Sequence, residues 1–309
     1  MHDDSLSINE PVVEIAQLSR RFGATIALNE VSLRIPKGVV FGLLGANGAG
    51  KTTLIKHLLG LLRAQAGNVS VFGLDPVANP TGVLSRVGYL SEVNELPEWM
   101  RVDELLRFTR AFYPSWDESY AQFLRQTFEL DAGQVVKSLS KGQRARLALL
   151  LALAHRAELL VLDEPSSGLD PLVRRDILRA IIRTIADEGR TVLFSSHLLD
   201  EVERVADHVA IVDKGRIIEN DHLESLKSSF HRLVVLFDTP LGTPPKANGF
   251  FDWQGVDKQW SAFYRGRAED AERLVTHLDA QLIEQATPSL NEIFVALVGT
   301  DHGEQERQP

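Results

Sequence analysis

Apolar and polar residues alternate from Val12 to Leu18 and again over Val31-Ser32-Leu33-Arg34-Ile35, which is the period of half-buried strands. Pro36-Lys37-Gly38 breaks the second run, and Val39 to Leu44 is then apolar without interruption, as a strand buried on both faces is. Past Gly45, Gly48 and Gly50, the residues Leu54, Leu58 and Leu61 fall on a helical period. Strand, glycine loop and helix therefore follow in order. Val102, Leu105, Leu106, Thr109 and Phe112 mark an amphipathic helix, and Phe123, Leu124, Phe128 and Leu130 another, so residues 95–137 are expected to be helical. Leu159 to Leu162 and Thr191 to Ser195 have the character of short buried strands, separated by Val173, Ile177, Ile181 and Ile185 at helical spacing. Strands alternating with helices predict an α/β domain around a mostly parallel sheet.

The texture changes after about His231. A strand-like run, Leu233 to Phe237, leads into the turn-rich stretch Thr239 to Gly249 with Pro240, Pro244 and Pro245. Short strands at Phe250–Trp253 and Trp260–Tyr264, a helix over Ala268–Asp279 and a strand near Leu282 follow by the same periodicity rules. A last helix starts at Ser289, where Ser289 and Glu292 have the spacing of a capping box and Leu290, Ile293, Phe294 and Leu297 form the apolar stripe; a polar tail is expected after Gly299. Residues 10–231 thus form one domain, and residues 232–309 a smaller α+β domain with 7 basic and 12 acidic side chains.

Charge and composition narrow the function. The 309 residues carry a formal net charge of −9, which repels phosphate backbones and argues against nucleic acid as a partner, while leaving room for a local anion site. Without cysteine, disulfides, thiolate zinc sites and cysteine nucleophiles are all excluded. The most apolar stretch, Leu147 to Ala154, falls far short of the roughly 20 residues a membrane-spanning helix needs. The polar start, MHDDSLSINEP, lacks the features of a secretory signal, so a cytoplasmic location is expected.

Candidate chemistry begins at Gly45-Ala46-Asn47-Gly48-Ala49-Gly50-Lys51-Thr52, which fits GxxxxGK[ST] and continues into Thr53. Between a buried strand and a helix, such glycines let successive N–H groups converge on phosphate oxygens. Lys51 is placed to reach the β and γ phosphates of ATP, and Thr52 to ligate Mg²⁺. Leu159-Leu160-Val161-Leu162-Asp163-Glu164 is an apolar strand ending in two acids, with Asp163 suited to Mg²⁺ and Glu164 to accepting a proton from the attacking water. Alone, this second pattern is also that of a strand leaving into a solvated acidic turn.

Between these motifs lies Leu139-Ser140-Lys141-Gly142-Gln143, and the order of phosphate loop, this pentapeptide, acidic strand, Ser167-Gly168-Leu169-Asp170 and His197 resembles the ATP-binding-cassette (ABC) ATPases over about residues 12–220. The resemblance implies a P-loop NTPase fold with a mostly parallel core sheet, an antiparallel β subdomain and a helical subdomain at about 92–150. It also implies a dimer closing head to tail on two ATP molecules, with Ser140, Gly142 and Gln143 of one subunit facing the phosphate loop of the other. Ser140 taken alone has the character of a helix cap. By the same resemblance Phe22 stacks on adenine, His197 touches the γ-phosphate and Asp170 contacts the second subunit. Glu92 stands where many members carry glutamine near the metal. That acidic variant, with Pro288-Ser289-Leu290-Asn291-Glu292-Ile293-Phe294, resembles bacterial exporters of the ABC-2 type. Lys141 departs from the commoner glycine.

The resemblance makes the chain the ATPase subunit of an exporter, held at the inner face of the membrane only through transmembrane permease subunits, with a homologous or identical second subunit. A soluble ABC ATPase acting on ribosomes or DNA is the alternative. Only 88 residues separate Lys51 from Leu139, too few for a coiled-coil insert, and one cassette is present. A non-hydrolysing regulator is a third reading, and the presence of Lys51, Asp163 and Glu164 speaks against it.

Overall fold

The computed structural model describes residues 11–92, 95–186, 189–245 and 247–305. The polar N-terminal stretch and the side chains of Ile181 and Ile185 lie outside the described residues. The chain divides into two compact units, one reaching Asn220 and the other starting at Asp221.

Two antiparallel strands open the first unit, β1 (Val13–Phe22) and β2 (Thr25–Ile35), paired from Val13↔Ile35 to Phe22↔Thr25. Both outrun the alternation visible in the sequence, because register shifts between Ile15 and Arg21 interrupt the period of two. Next come β3 (Val40–Leu44), α1 (Lys51–Leu58), β4 (Ala66–Val71), α2 (Pro80–Leu84) and β5 (Val87–Leu90). Strand β4 pairs antiparallel with the free side of β1 and completes a three-stranded sheet, β2-β1-β4. Leu54 and Leu58 of α1 are buried, whereas Leu61 lies past the helix end and is exposed.

A helical region follows, with α3 (Val102–Arg110), α4 (Glu118–Thr127), a 3-10 turn at Val136–Ser138 and α5 (Lys141–Leu153). The helical expectation for all of 95–137 is corrected here. Glu98 to Asp103 runs beside Ala132 to Lys137, and backbone N–H groups of Lys137, Val136 and Val102 donate to carbonyls of Glu98, Met100 and Gln134, respectively. Those peptide groups are satisfied across the chain instead of along a helix.

The unit ends with β6 (Leu159–Asp163), α6 (Pro171–Ala186), β7 (Thr191–Ser196), α7 (Leu199–Glu203), β8 (His208–Asp213) and β9 (Arg216–His222). A six-stranded sheet runs in the order β5-β6-β7-β3-β8-β9, and the pairs β5·β6, β6·β7, β3·β7 and β3·β8 are parallel. Every residue of β3, β6 and β7 is buried, which accounts for their unbroken apolar runs. One core joins α1, the inner faces of β1 and β2, and one face of this sheet through Ile15, Leu33, Phe41, Leu43, Leu54, Val161 and Leu193.

The second unit comprises α8 (Leu223–Ser229), β10 (Phe230–Leu241), β11 (Phe250–Arg265), α9 (Ala268–Thr276), β12 (Ala280–Ala286) and α10 (Leu290–Gln305). Its sheet is β11-β10-β12, antiparallel, over a core that includes Leu233, Val235, Trp260, Tyr264 and Val275. The unit begins ahead of residue 232 because Leu223 and Leu226 of the short α8 are buried. Strand β11 spans both short strands expected there and doubles back at Asp257, whose φ is 58°, so that Gln254 O accepts from Ser261 Oγ at 3.1 Å. Ser289 and Glu292 form the expected box, with Ser289 N donating to Glu292 Oε2 at 2.8 Å and Glu292 N to Ser289 Oγ at 3.3 Å. The backbone stays helical to Gln305, past the point where a polar tail was expected.

His155, after the end of α5, ties the helical region to the sheet: its Nε2 faces Val87 O at 3.1 Å, and its ring stacks on Tyr113 at 3.9 Å between centroids. Burial pushes its pKa below 6.5. The unfolded chain then takes up this proton before the folded chain does, so stability holds above about pH 6.5 and is lost as pH falls through the folded pKa. His155→Phe is expected to lose less stability than the wild type between about pH 7.5 and about pH 5.5, measured as urea midpoints at the two pH values. Equal losses in the two proteins would show that His155 carries none of the acid sensitivity.

Candidate active site

Parallel pairing builds this site. Leu44 of β3 lies opposite Ser196 of β7, Asp163 of β6 opposite Ser195, and Leu90 of β5 opposite Leu162. The chain segments leaving β5, β6, β7 and β3 therefore emerge side by side at one edge, the usual ligand crevice of an open α/β sheet.

Gly45 to Gly50 leaves β3 at this edge. A Cβ on Gly45 would stand 2.5 Å from Val212 O, and one on Gly50, whose φ is +112°, would stand 2.5 Å from Ala27 O. Only glycine fits either place. Ala46, Asn47 and Gly48 are exposed, while Ala49 is buried and anchors the loop. Gly50 caps α1 in the left-handed conformation with no side-chain hydrogen bond, so the first N–H groups of the helix, from Lys51 to Thr53, face the loop without a side-chain cap.

Lys51 is 5% exposed and Glu164 6%, and Nζ stands 3.0 Å from Glu164 Oε1. The ammonium donates to Gly45 O at 2.7 Å and Ala46 O at 3.2 Å, while Glu164 Oε1 is buried with no hydrogen-bond donor of its own among the described residues. Thr52 Oγ1 lies 3.2 Å from Asp163 Oδ1, and that oxygen also accepts from Ser195 Oγ at 2.7 Å. Ser195 Oγ accepts in turn from Glu164 N at 3.0 Å. Glu164 has a φ of 48°, a left-handed conformation that a non-glycine residue adopts only when its surroundings hold it. His197 completes the group: Nδ1 donates to Glu164 Oε2 at 2.6 Å, since a carboxylate only accepts. Tyr89 lies nearby, its pKa pushed up to about 12 by burial and by the charge of Asp163.

Lys51, Thr52, Asp163, Glu164 and His197 are thus one connected cluster. Ser140, Gly142, Gln143 and Asp170 form a second. Ser140 Oγ accepts from Gln143 N at 3.2 Å while Ser140 N donates to Gln143 Oε1 at 3.0 Å, a capping box at the start of α5. Gly142 lies against Val173, and Asp170 Oδ1 caps α6 by accepting from Leu172 N and Val173 N at 3.0 and 3.1 Å. Phe22, 46% exposed at the tip of the β1–β2 hairpin, belongs to neither cluster, and Arg20 stacks its guanidinium over the ring at 4.7 Å. Glu92 is exposed two residues past Leu90, on the same sheet edge as Asp163. Sequence reasoning missed Ser195, although a polar Ser195-Ser196 end on an otherwise apolar strand was a visible signal.

The family model described as ABC transporter matches residues 28–167. The daunorubicin/doxorubicin resistance ATP-binding protein DrrA of Streptomyces peucetius is 30% identical, over 93% of this chain and 92% of its own. The chain belongs to the ABC transporter ATP-binding proteins. The bacitracin transport ATP-binding protein BcrA of Bacillus licheniformis is also 30% identical, covering 93% of this chain and 97% of its own. A solved ATP-binding subunit of an ABC transporter shares 28% identity with a TM-score of 0.65, over 70% of this chain and 92% of its own. The chain is thus an ABC ATPase that binds and hydrolyses ATP, and subunits of its family work with transmembrane permeases. Among the described residues no helix is long and apolar enough to cross a membrane.

The buried pair makes a stability prediction. Lys51→Met leaves Glu164 buried without its cation and is expected to destabilise the nucleotide-free protein by about 3–5 kcal/mol. Lys51→Met with Glu164→Leu is expected to recover most of that loss in urea unfolding of the nucleotide-free protein. A double variant as unstable as the single one would show that the ion pair is not what Lys51 contributes.

Proposed function

We propose that this ABC ATPase drives an exporter by closing as a dimer on two ATP molecules. The observation that carries the reading is the buried Glu164 carboxylate, held between Lys51 and His197 one residue beyond the Asp163 that meets Thr52. Phosphate oxygens fit the glycine loop and the start of α1, and Lys51 turns from Gly45 O and Ala46 O toward them. Thr52 Oγ1 and Asp163 Oδ1 present a pair of hard oxygens of the kind Mg²⁺ takes, with Ser195 holding Asp163 in place. Bound there, Mg²⁺ supplies positive charge to the phosphates. Glu164 accepts the proton of the attacking water, and His197 orients that carboxylate and reaches toward the γ-phosphate. Glu92, on the same edge, adds a third carboxylate that tunes the metal. Phe22 offers an exposed ring for adenine.

Within one chain the Ser140 cluster is separate from the Lys51 cluster, and a second subunit is what brings them together. Ser140, Gly142 and Gln143 then face the phosphates bound by the other subunit, with Asp170 at the contact. Export is supported by relatives named for drug resistance and bacitracin transport, which match nearly the whole chain. Leu96, Trp99 and Met100 form part of the surface for the permease, since Trp99 is 78% exposed beside half-buried Leu96 and Met100. Residues 232–309 carry no part of the chemistry and serve assembly or regulation.

Glu164→Gln is expected to keep ATP binding while lowering turnover by about a hundredfold or more, and to trap a dimer seen by gel filtration with ATP and Mg²⁺. A variant that stays monomeric at saturating ATP while the wild type dimerises would overturn the closed-dimer reading. For the docking surface, Trp99→Ala is expected to deplete the protein from the membrane fraction of its host without lowering its melting temperature. A lowered melting temperature together with depletion would place Trp99 in the fold instead.

A further inference from the structure

Arg144 lies in the first turn of α5, just past the Ser140–Gln143 capping box. Its Nη1 donates to Glu98 Oε1 at 2.8 Å, Nη2 to Lys137 O at 2.9 Å and Nε to Leu139 O at 3.4 Å. Glu98 is the chain neighbour of the exposed Trp99. Backbone bonds run beside these: Lys137 N donates to Glu98 O at 3.0 Å, and Val136 N to Met100 O at 2.9 Å. Arg101 donates from its guanidinium to Gly133 O. The segment around Trp99 is therefore laced to residues 133–137, and only Ser138 and Leu139 separate that lacing from Ser140.

The capping box that holds Ser140 is local, made within the Ser140–Gln143 turn itself, and does not fix how the turn sits against its surroundings. Arg144 ties the turn to the Glu98 segment, because one planar fork grips the two carbonyls leading into Ser140 and a carboxylate on that segment. It reaches no residue of the Lys51 cluster in this network, so its effect on the reaction runs through the position of Ser140.

We propose that Arg144 is a positioning residue that braces the Ser140 turn and fastens it to the Trp99 segment, so that a load on that segment moves the turn. The proposal rests on the closed-dimer reading, in which Ser140 meets ATP bound to the other subunit. A brace of this kind changes dimer closure and leaves nucleotide binding by the single subunit unaltered.

The test uses the full chain carrying Glu164→Gln, with ATP-driven dimerisation followed by analytical ultracentrifugation and monomer affinity followed with a fluorescent ATP analogue. Adding Arg144→Ala is expected to raise the dimerisation Kd about tenfold or more, and Glu98→Gln to raise it less, while the monomer's nucleotide Kd stays within about twofold. Arg144→Lys, which keeps the charge but loses the fork, is expected to fall between. Glu98→Gln with Arg144→Ala should be no worse than Arg144→Ala alone, because both break one linkage. If the Glu164→Gln parent is itself monomeric, the dimer reading fails and the brace falls with it. If the parent dimerises and Arg144→Ala and Glu98→Gln match it, the brace alone is overturned. Loss of nucleotide binding in Arg144→Ala, with Glu98→Gln behaving as the parent, would also overturn it and leave Arg144 a residue of general stability.

Discussion

Four strands hydrogen-bonded in parallel must deliver their carboxyl ends to one edge, and the chemistry of this protein depends on that constraint. The glycine loop, the Asp163–Glu164 pair and His197 are scattered over about half the sequence, yet each directly follows a strand of the same sheet. A slip of one residue between β6 and β7 would move Ser195 away from Asp163 and break the bridge from Asp163 through Ser195 to the Glu164 backbone. A slip would also bury Asp163 without its Ser195 partner, since every residue of β6 and β7 is buried.

The second cluster obeys a different constraint. Ser140 and Asp170 both satisfy helix N-terminal groups of their own chain, at α5 and α6. A residue can cap its helix and still present an exposed edge to another subunit, so the capping role of Ser140 is compatible with the role proposed for it. The local bonds fix the turn internally; the Arg144 contacts set its place relative to the segment from Glu98 to Met100.

What was legible in the sequence follows from this physics. Strands buried on both faces announce themselves as unbroken apolar runs, and glycines that must approach backbone closely stand in a fixed pattern, so β3, β6, β7 and the loop to Lys51 were visible. Strands β4, β5 and β9 were not. β4 and β9 are largely exposed or half-buried, with polar residues such as Asn68 and Glu219, and β5 is four residues long. Residues 95–101 misled because apolar spacing cannot distinguish a helix from a chain whose peptide groups bond to a distant neighbour. Motifs gave the site its residue types; Ser195, Glu98 and Arg144 entered only through contacts between segments far apart in the chain.

On the proposed function, the buried ion pair at Lys51 links binding to chemistry. Its ammonium donates to Gly45 O and Ala46 O and stands as the counter-charge of Glu164 Oε1, an oxygen that accepts no hydrogen bond among the described residues. The two carbonyls belong to the loop proposed to cradle the phosphates, while the carboxylate belongs to the residue proposed to take the proton from water. On the proposed function, Lys51 turning from these carbonyls toward a phosphate also draws it from Glu164 and leaves Oε1 open to a water. His197 Nδ1, on Oε2 at 2.6 Å, is the contact that on this reading keeps the carboxylate from swinging away during that exchange. The left-handed backbone at Glu164 aims its side chain between the two partners, so on the proposed function capture of a phosphate and readiness of the base are one rearrangement of a single buried ion pair.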